Sequence, residues 1–334
     1  MLKKITRVCL LMCCFAFVFS SIAFAQTMRG LICYGGLIHD NGFNQMAYNG
    51  FNKAINSNKK TMFITDSFVN DKGDKLTAKN MRRVLASDWD FVIGVGQEYM
   101  PVFKKLAADK PETKFIVIDG HLEDSKLLNL QGIVFDEVQG GYLAGVAAAS
   151  TSATGKIGFI GGIKTYRSNS DFYSGYRAGA LSVNPKIVFK EEYVGSFNNS
   201  KKMENIARRM YRGDIDVIFH AAGASGNGLF QAAAKAKKFA IGCDTDQSLS
   251  ASAQERPYIL TSVIKRVDNV VNDLVNDLAQ GKFTPGVVVK DYRTDSVTYA
   301  TNEWNKEALK KAMPALIDAE AKLYLDADEL EIKK

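Results

Sequence analysis

The chain is 334 residues long, which suits two domains of ordinary size better than one. Hydrophobic residues make up 46% and charged residues 24%, a balance that supplies ample core and excludes a disordered chain. The formal charge is +7, but no stretch concentrates Lys and Arg into a patch, so nucleic acid is not an expected partner.

Residues 1–25 stand apart from the rest. Lys3, Lys4 and Arg7 precede an apolar stretch from Val8 to Phe19, and Ala23-Phe24-Ala25 gives a small-x-small cleavage site before Gln26. The apolar run is too short for a membrane span, so a cleaved secretory signal peptide is expected. Cys13 follows Met12 and Cys14 follows Cys13, which is not the small residue that precedes a lipidated cysteine. Cleavage removes three basic residues and no acidic ones, lowering the charge from +7 to +4. Cys33 and Cys243 remain, each beside an apolar run, and are expected as buried free thiols.

From Gln26 onward, strand-like and helix-like segments alternate. "GLICYGG" is followed by "TMFIT", "DFVIGVG" and "KFIVIDG" up to about Val134; "GKIGFIGG", "DVIFHAAG", "KFAIGCD" and "YILTSVI" form a fresh series from Gly155. A helix-like stretch, "EVQGGYLAGVAAAS", lies between the two series. Val267, Val270, Val271, Leu274 and Leu278 line one face of a helix. Such alternation predicts an α/β protein with two doubly wound parallel-sheet lobes. The tail from Asn305 is amphipathic and helical, with Pro314 marking a kink or break.

Ligands of parallel α/β sheets bind outside the carboxyl ends of the strands. Asp40, Phe43 and Asn44 follow the first strand, in "HDNGFNQMAYNG"; Gln97 (with Glu98 beside it), Asp119, Phe197, Gly223, Asp244 and Lys265 follow later ones. Each acid alone reads as well as a helix cap or turn former. Together they read as a cleft. Aromatic faces stack on planar groups, and carboxylates accept hydrogen bonds from hydroxyls and ring N–H groups while repelling anions. The expected ligand is neutral, aromatic and hydroxylated, which fits a nucleoside better than a nucleotide.

Cofactor motifs fail. "GVGQEY" has Tyr99 where a dinucleotide fingerprint needs its third glycine, and "GASGNG" has the wrong glycine order. No Walker A or G-x-S-x-G pattern occurs. His39, His121 and His220 all lie near strand ends but carry no metal-ligand spacing, so neither metal nor cofactor is expected.

The blocks "DNGFNQMAYNG", "VFDEVQGGYLAGVAAA", "GKIGFIGGI", "VGSFNN", "AAGASGNGLFQAA", "IGCDTDQ" and "TSVIKRVD", in this order, resemble the basic membrane protein family of ABC-transporter substrate-binding proteins. The resemblance spans about Gly30 to Lys290 and is strongest to purine-nucleoside-binding, PnrA-like members. It implies a type I periplasmic-binding-protein fold whose lobes are joined by crossing hinge strands. The implied lobes are 26–136 with 259–287, and 137–258 with 288–334, the chain returning to the first lobe near Tyr258 and recrossing near Val287. It implies that Asp40 and Asn44 hold polar edges of the ligand and that Phe43 and Phe197 sandwich its base. Asp119 and Asp244 would take ribose hydroxyls or base N–H groups. Gly223 would admit the ligand to the backbone, and Lys265 would donate one hydrogen bond and neutralise an acid. Gln97 departs from the aromatic that many relatives carry nearby, and Asn198 from an acid. The implied protein is a monomeric periplasmic receptor, not an enzyme, delivering its ligand to an ABC permease in the inner membrane. Same-fold receptors for riboflavin, a free purine, a sugar or an autoinducer remain alternatives, as does a nucleoside hydrolase.

Overall fold

The computed structural model describes residues 26–325 except 71–75, 78, 80, 83–84 and 124, so the expected signal peptide lies outside the described residues. The first half runs β1 (Gln26–Tyr34), α1 (Phe43–Ser57), β2 (Thr61–Val69), β3 (Phe91–Val95), α2 (Met100–Asp109), β4 (Lys114–Ile118) and β5 (Leu130–Phe135). The second half runs α3 (Glu137–Thr151), β6 (Lys156–Gly161), α4 (Arg167–Val183), β7 (Val188–Tyr193), α5 (Ser200–Arg212), β8 (Val217–Ala221), α6 (Asn227–Ala236), β9 (Phe239–Gly242) and β10 (Ile259–Lys265). The remainder is α7 (Val267–Ala279), β11 (Gly286–Lys290), β12 (Val297–Tyr299), α8 (Lys306–Leu309) and α9 (Met313–Leu325).

These strands build two six-stranded sheets, ordered β11-β5-β4-β3-β1-β2 and β12-β10-β9-β8-β6-β7. Every pairing is parallel except β10 with β12. The central strands β3 and β8 are buried throughout, as expected for strands covered on both faces. Alternation sorts the side chains: Ile32 and Ile93 face the helices α1 and α7, while Leu31, Cys33 and Val92 face α2. In the second sheet Ile157 and Phe159 join a core with α3, α4 and α9, and Ile160 and Ile218 one with α5 and α6. The helices α3 and α4 approach so closely that a Cβ on Gly145 would lie 2.1 Å from the Tyr176 carbonyl.

The chain crosses between sheets three times. It leaves the first sheet after β5, returns after Lys265, and leaves again after Lys290. The sequence boundary near Tyr258 is therefore displaced: β10 pairs with β9 and β12 in the second sheet, and only α7 rejoins the first. Residue composition could not place this crossing, because a buried apolar strand fits either sheet. Within α7, Leu274 is only partly buried and Val275 takes the fully buried place instead. The C-terminal tail splits into α8 and α9, and Pro314 is the second residue of α9, where a missing N–H leaves no helical bond unmade. Among the described residues, no helix is long and apolar enough to cross a membrane.

Candidate functional site

Both sheets share one winding: β5-β4-β3-β1-β2 and β10-β9-β8-β6-β7. Each reverses direction once, between β1 and β3 and between β6 and β8, and such switch points open a crevice at the strands' carboxyl ends. The two crevices face one cavity of about 750 Å³, lined by Gly36, Val95 and Gly96 on one side and Ile163 and Ala221 on the other. That volume lies within the range of small-molecule sites. All nine residues singled out from sequence line it: Asp40, Phe43, Asn44, Gln97, Asp119, Phe197, Gly223, Asp244 and Lys265.

Their roles differ from one another. Asp40 accepts hydrogen bonds from the backbone N–H groups of Gly42 (2.9 Å), Asn44 (3.1 Å) and Gln45 (3.1 Å), and from the Asn44 side chain (2.9 Å). A carboxylate has about four acceptor positions. Asp40 therefore caps α1 and aims Asn44, rather than offering its oxygens to a ligand. Asn44 Oδ1 is left buried without a partner at the cavity wall, a ready acceptor. Phe43, the first residue of α1, packs partly on the core below it.

Lys265 ends β10 with a side chain only 2% exposed. Its ammonium lies 2.8 Å from each oxygen of Asp119 and 2.9 Å from Glu137 Oε1. Three acceptors match its three donors. The expected hydrogen bond from Lys265 to a ligand is thus replaced by neutralisation of two acids. The rings of Phe135 (4.8 Å) and Phe43 (5.1 Å) flank the charge. Burial would lower this lysine, but Asp119, Glu137 and Asp244 together push it well above the usual range. Burial pushes Glu137 up to about 7 against the pull of Lys265.

Asp119 and Asp244 follow β4 and β9, which hold the same place in their sheets, and both adopt positive φ, 60° and 71°. Asp tolerates this conformation better than most residues, yet two strained acids facing one cavity mark a constrained site. Among the described residues Asp244 has no ion pair; the Cys243 thiol donates to its Oδ1 at 3.6 Å. Burial pushes Asp244 up to about 6, Lys265 opposing and Asp119 and Asp40 adding to the rise. Gly223, at φ 52°, opens a short 3-10 turn leading into α6. Phe197 rests its ring where a Cβ on Gly162 would sit, at 2.3 Å, and meets Tyr166 edge-on with centroids 5.1 Å apart.

Sequence reasoning noted Glu98 beside Gln97 without giving it a role, and missed Glu137, Tyr166 and Phe172. Tyr166 was findable by symmetry: it precedes α4, the helix after β6, as the Phe43 loop precedes the helix after β1. Glu137 carries no such signal, since an acid in a helix's first turn is ordinary. Of the histidines, His220 is fully buried and bonded to Gln247 Oε1 at 2.9 Å, with burial pushing it down to about 4. Among the described residues no group of His, Cys, Asp and Glu could hold a metal. Cys33 and Cys243 are free and buried.

Two wound sheets around one shared cleft give the fold of type I periplasmic binding proteins. An ABC transporter solute-binding protein of Aeropyrum pernix K1 superposes with a TM-score of 0.75 at 20% identity, over 89% of this chain and 91% of that one. A periplasmic solute-binding protein of Actinobacillus succinogenes, solved with D-allose, superposes at 0.63 with 17% identity, over 84% and 99%. The chain belongs to the Bmp family of ABC transporter substrate-binding proteins, PnrA-like, which it matches over residues 28–325. It is 32% identical to the ABC transporter nucleoside-binding protein BmpA of Lactococcus lactis subsp. cremoris, over 84% of each chain. It is 32% identical to a CD4+ T-cell-stimulating antigen of Listeria innocua, over 88% of this chain and 84% of that protein. With basic membrane protein A of Borreliella burgdorferi the identity is 31%, over 76% and 73%. The family is one of transport receptors, not of enzymes.

Proposed function

We propose that the cavity captures a nucleoside, a purine above all, and hands it to the permease of an ABC importer. The observation that carries this reading is the cavity's composition: Phe43 from one lobe, Phe197 from the other, and four carboxylates against one ammonium. Two aromatic faces suit a planar base, each stack contributing roughly 1–3 kcal/mol. The excess of acids disfavours a phosphate and favours hydroxyl and N–H donors. The name of the Lactococcus relative supports the same ligand class. In this reading Asn44 and Asp244 hold polar edges of the ligand, Gly223 admits it to the backbone, and Gln97 lines the base end. Asp119, held by Lys265, is the fixed acid of the cavity floor.

Closure of the lobes is the mechanism, and no bond is broken. Thr245 of the second lobe donates to the Asn41 carbonyl of the first at 3.1 Å, a contact that only an approximated pair of lobes makes. The leader at 1–25 is cleaved before Gln26, and the mature receptor works as a periplasmic monomer without metal or cofactor. Calorimetry with adenosine, guanosine, inosine, uridine and the free bases tests the ligand class. Saturable binding of purine nucleosides is expected; binding of none of them rejects it.

A further inference from the structure

The four carboxylates that line the cavity are not equivalent. Asp40 is taken by the N–H groups of α1 and Asp119 by Lys265. Among the described residues Glu98 and Asp244 have no ion pair. Glu98 sits in the 3-10 turn Gln97–Tyr99, at the switch point of the first sheet. Its carboxyl lodges over two glycines: a Cβ on Gly35 would lie 1.8 Å from one of its oxygens, and a Cβ on Gly96 2.5 Å from the other. The chain thus keeps side chains away from the space where this carboxyl rests. The Tyr166 hydroxyl of the opposite lobe lines the same cavity and is near enough to lower the Glu98 carboxyl, against the larger upward push of burial. Tyr166 in turn packs edge-on against Phe197. Glu98, Tyr166 and Phe197 thus line one cavity, with Tyr166 linking the ring of Phe197 to the side on which Glu98 stands.

We infer that Glu98 is a specificity-determining residue, whose free acceptor capacity reads N–H donors on the edge of the bound base, with Tyr166 holding it in position across the cleft. This rests on the nucleoside reading. A base that presents two adjacent N–H donors to a carboxylate, as guanine does with N1–H and its 2-amino group, gains most; one with no N–H, as in purine riboside, gains nothing. Neither Lys nor Arg competes for the carboxylate among the described residues, and the nearby Asp119 charge adds to its need for a donor.

Calorimetric titration of the native protein, Glu98→Gln and Tyr166→Phe with guanosine, inosine and purine riboside tests the inference. The native protein is expected to prefer guanosine to purine riboside. Glu98→Gln should weaken guanosine by about tenfold to a hundredfold, the loss of a hydrogen bond to a charged group, and leave purine riboside within about twofold. Tyr166→Phe keeps the ring against Phe197 and removes only the hydroxyl, so it should lower the guanosine preference by a smaller factor. A purely structural role would weaken all three ligands alike, and that result overturns the inference while leaving the nucleoside site standing, as does an unchanged guanosine affinity in Glu98→Gln. Failure of the native protein to bind any of the three overturns both readings.

Discussion

The two lobes are built on one plan and offer a ligand different chemistry. In the first, the turn after β3 brings a carboxylate, Glu98, into the cavity; in the second, the corresponding turn after β8 brings glycine backbone at Gly223. Asp119 and Asp244 occupy matching places after β4 and β9, both at positive φ. Yet Asp119 is chelated by Lys265, whereas among the described residues the Asp244 carboxyl is met only by a thiol. A repeated scaffold thus fixes where side chains stand, while their partners decide which remain available. The first lobe's acids are largely satisfied within the protein, Glu98 excepted. Lys265 is the reason for the asymmetry, since it lies in the second sheet and neutralises an acid of the first.

Removing that lysine should have the largest effect. Lys265→Met leaves Asp119 and Glu137 facing one another without a cation, and loss of one partner from a buried ion pair typically costs about 3–5 kcal/mol. Urea unfolding should show this loss, together with abolished ligand binding. Glu137→Gln leaves Asp119 as partner and removes a carboxyl that burial already pushes up to about 7, so its loss should be clearly smaller. Equal losses would mean that Glu137, not Asp119, is the main counter-charge, and the lobe comparison would invert.

The two phenylalanines should separate stability from affinity. Phe43 packs on the first lobe's core and over Lys265, whereas Phe197 rests on Gly162 and Tyr166 in a loop. Both alanine variants should weaken nucleoside binding by roughly 1–3 kcal/mol, one stacking contact. Only Phe43→Ala should also lower the unfolding midpoint. A fall in stability for Phe197→Ala would place that ring in the core rather than against the ligand.

The winding of both sheets was legible because buried parallel strands read as short apolar runs between amphipathic helices. The cavity's rim was legible because ligand sites lie at strand ends, and Asp40, Phe43, Phe197 and Asp244 are conspicuous there. Partnership was not legible. Nothing in "HDNGFNQ" reveals that Asp40 takes three backbone N–H groups of its own segment, nor does "TSVIKRVD" reveal that Lys265 reaches Asp119 across 146 residues. Glu98 was visible beside Gln97 at the end of its strand, but nothing in "GVGQEY" set it apart from an ordinary turn residue. Its importance depends on Gly35, Gly96 and Tyr166 converging from three separate segments.

Asp244→Asn should exchange function for stability. Asparagine keeps the shape and tolerates φ 71° as well as aspartate does. It removes an ionised group that burial disfavours, so unfolding free energy above pH 7 should rise by an amount of the order of 1 kcal/mol. Nucleoside affinity should fall about tenfold as a charge-assisted bond becomes a neutral one. Higher stability without loss of affinity would assign Asp244 to the scaffold and leave Glu98 as the acceptor that matters.

The smallest expected effect is on the pH dependence of the ligand-free protein, and its sign follows from which acids lack cations. Burial pushes Glu98 up to about 7, with Asp119 adding to the rise, and Asp244 up to about 6. Glu137 is likewise raised to about 7 by burial, although Lys265 pairs with it. The folded state therefore holds protons that the unfolded chain releases near pH 4. The stability these groups contribute is full below the ordinary carboxylate range and is lost as pH rises through about 6 to 7. His220 acts the other way: burial lowers it to about 4, so its contribution is full above 6.5 and is lost as pH falls toward 4. Burial lowers His121 as well, and imidazoles of the unfolded chain bind protons as pH nears 6.5, so the carboxyls dominate between pH 8 and 7, where the melting temperature should rise on acidification by about 2 °C. Glu98→Gln should flatten that slope. A saturating guanosine-type ligand should reverse it, because N–H donors favour the ionised carboxylate. A melting temperature that instead rises toward pH 8 in the ligand-free protein would show that Glu98 has a cationic partner, and the contrast between satisfied and unsatisfied acids would fail.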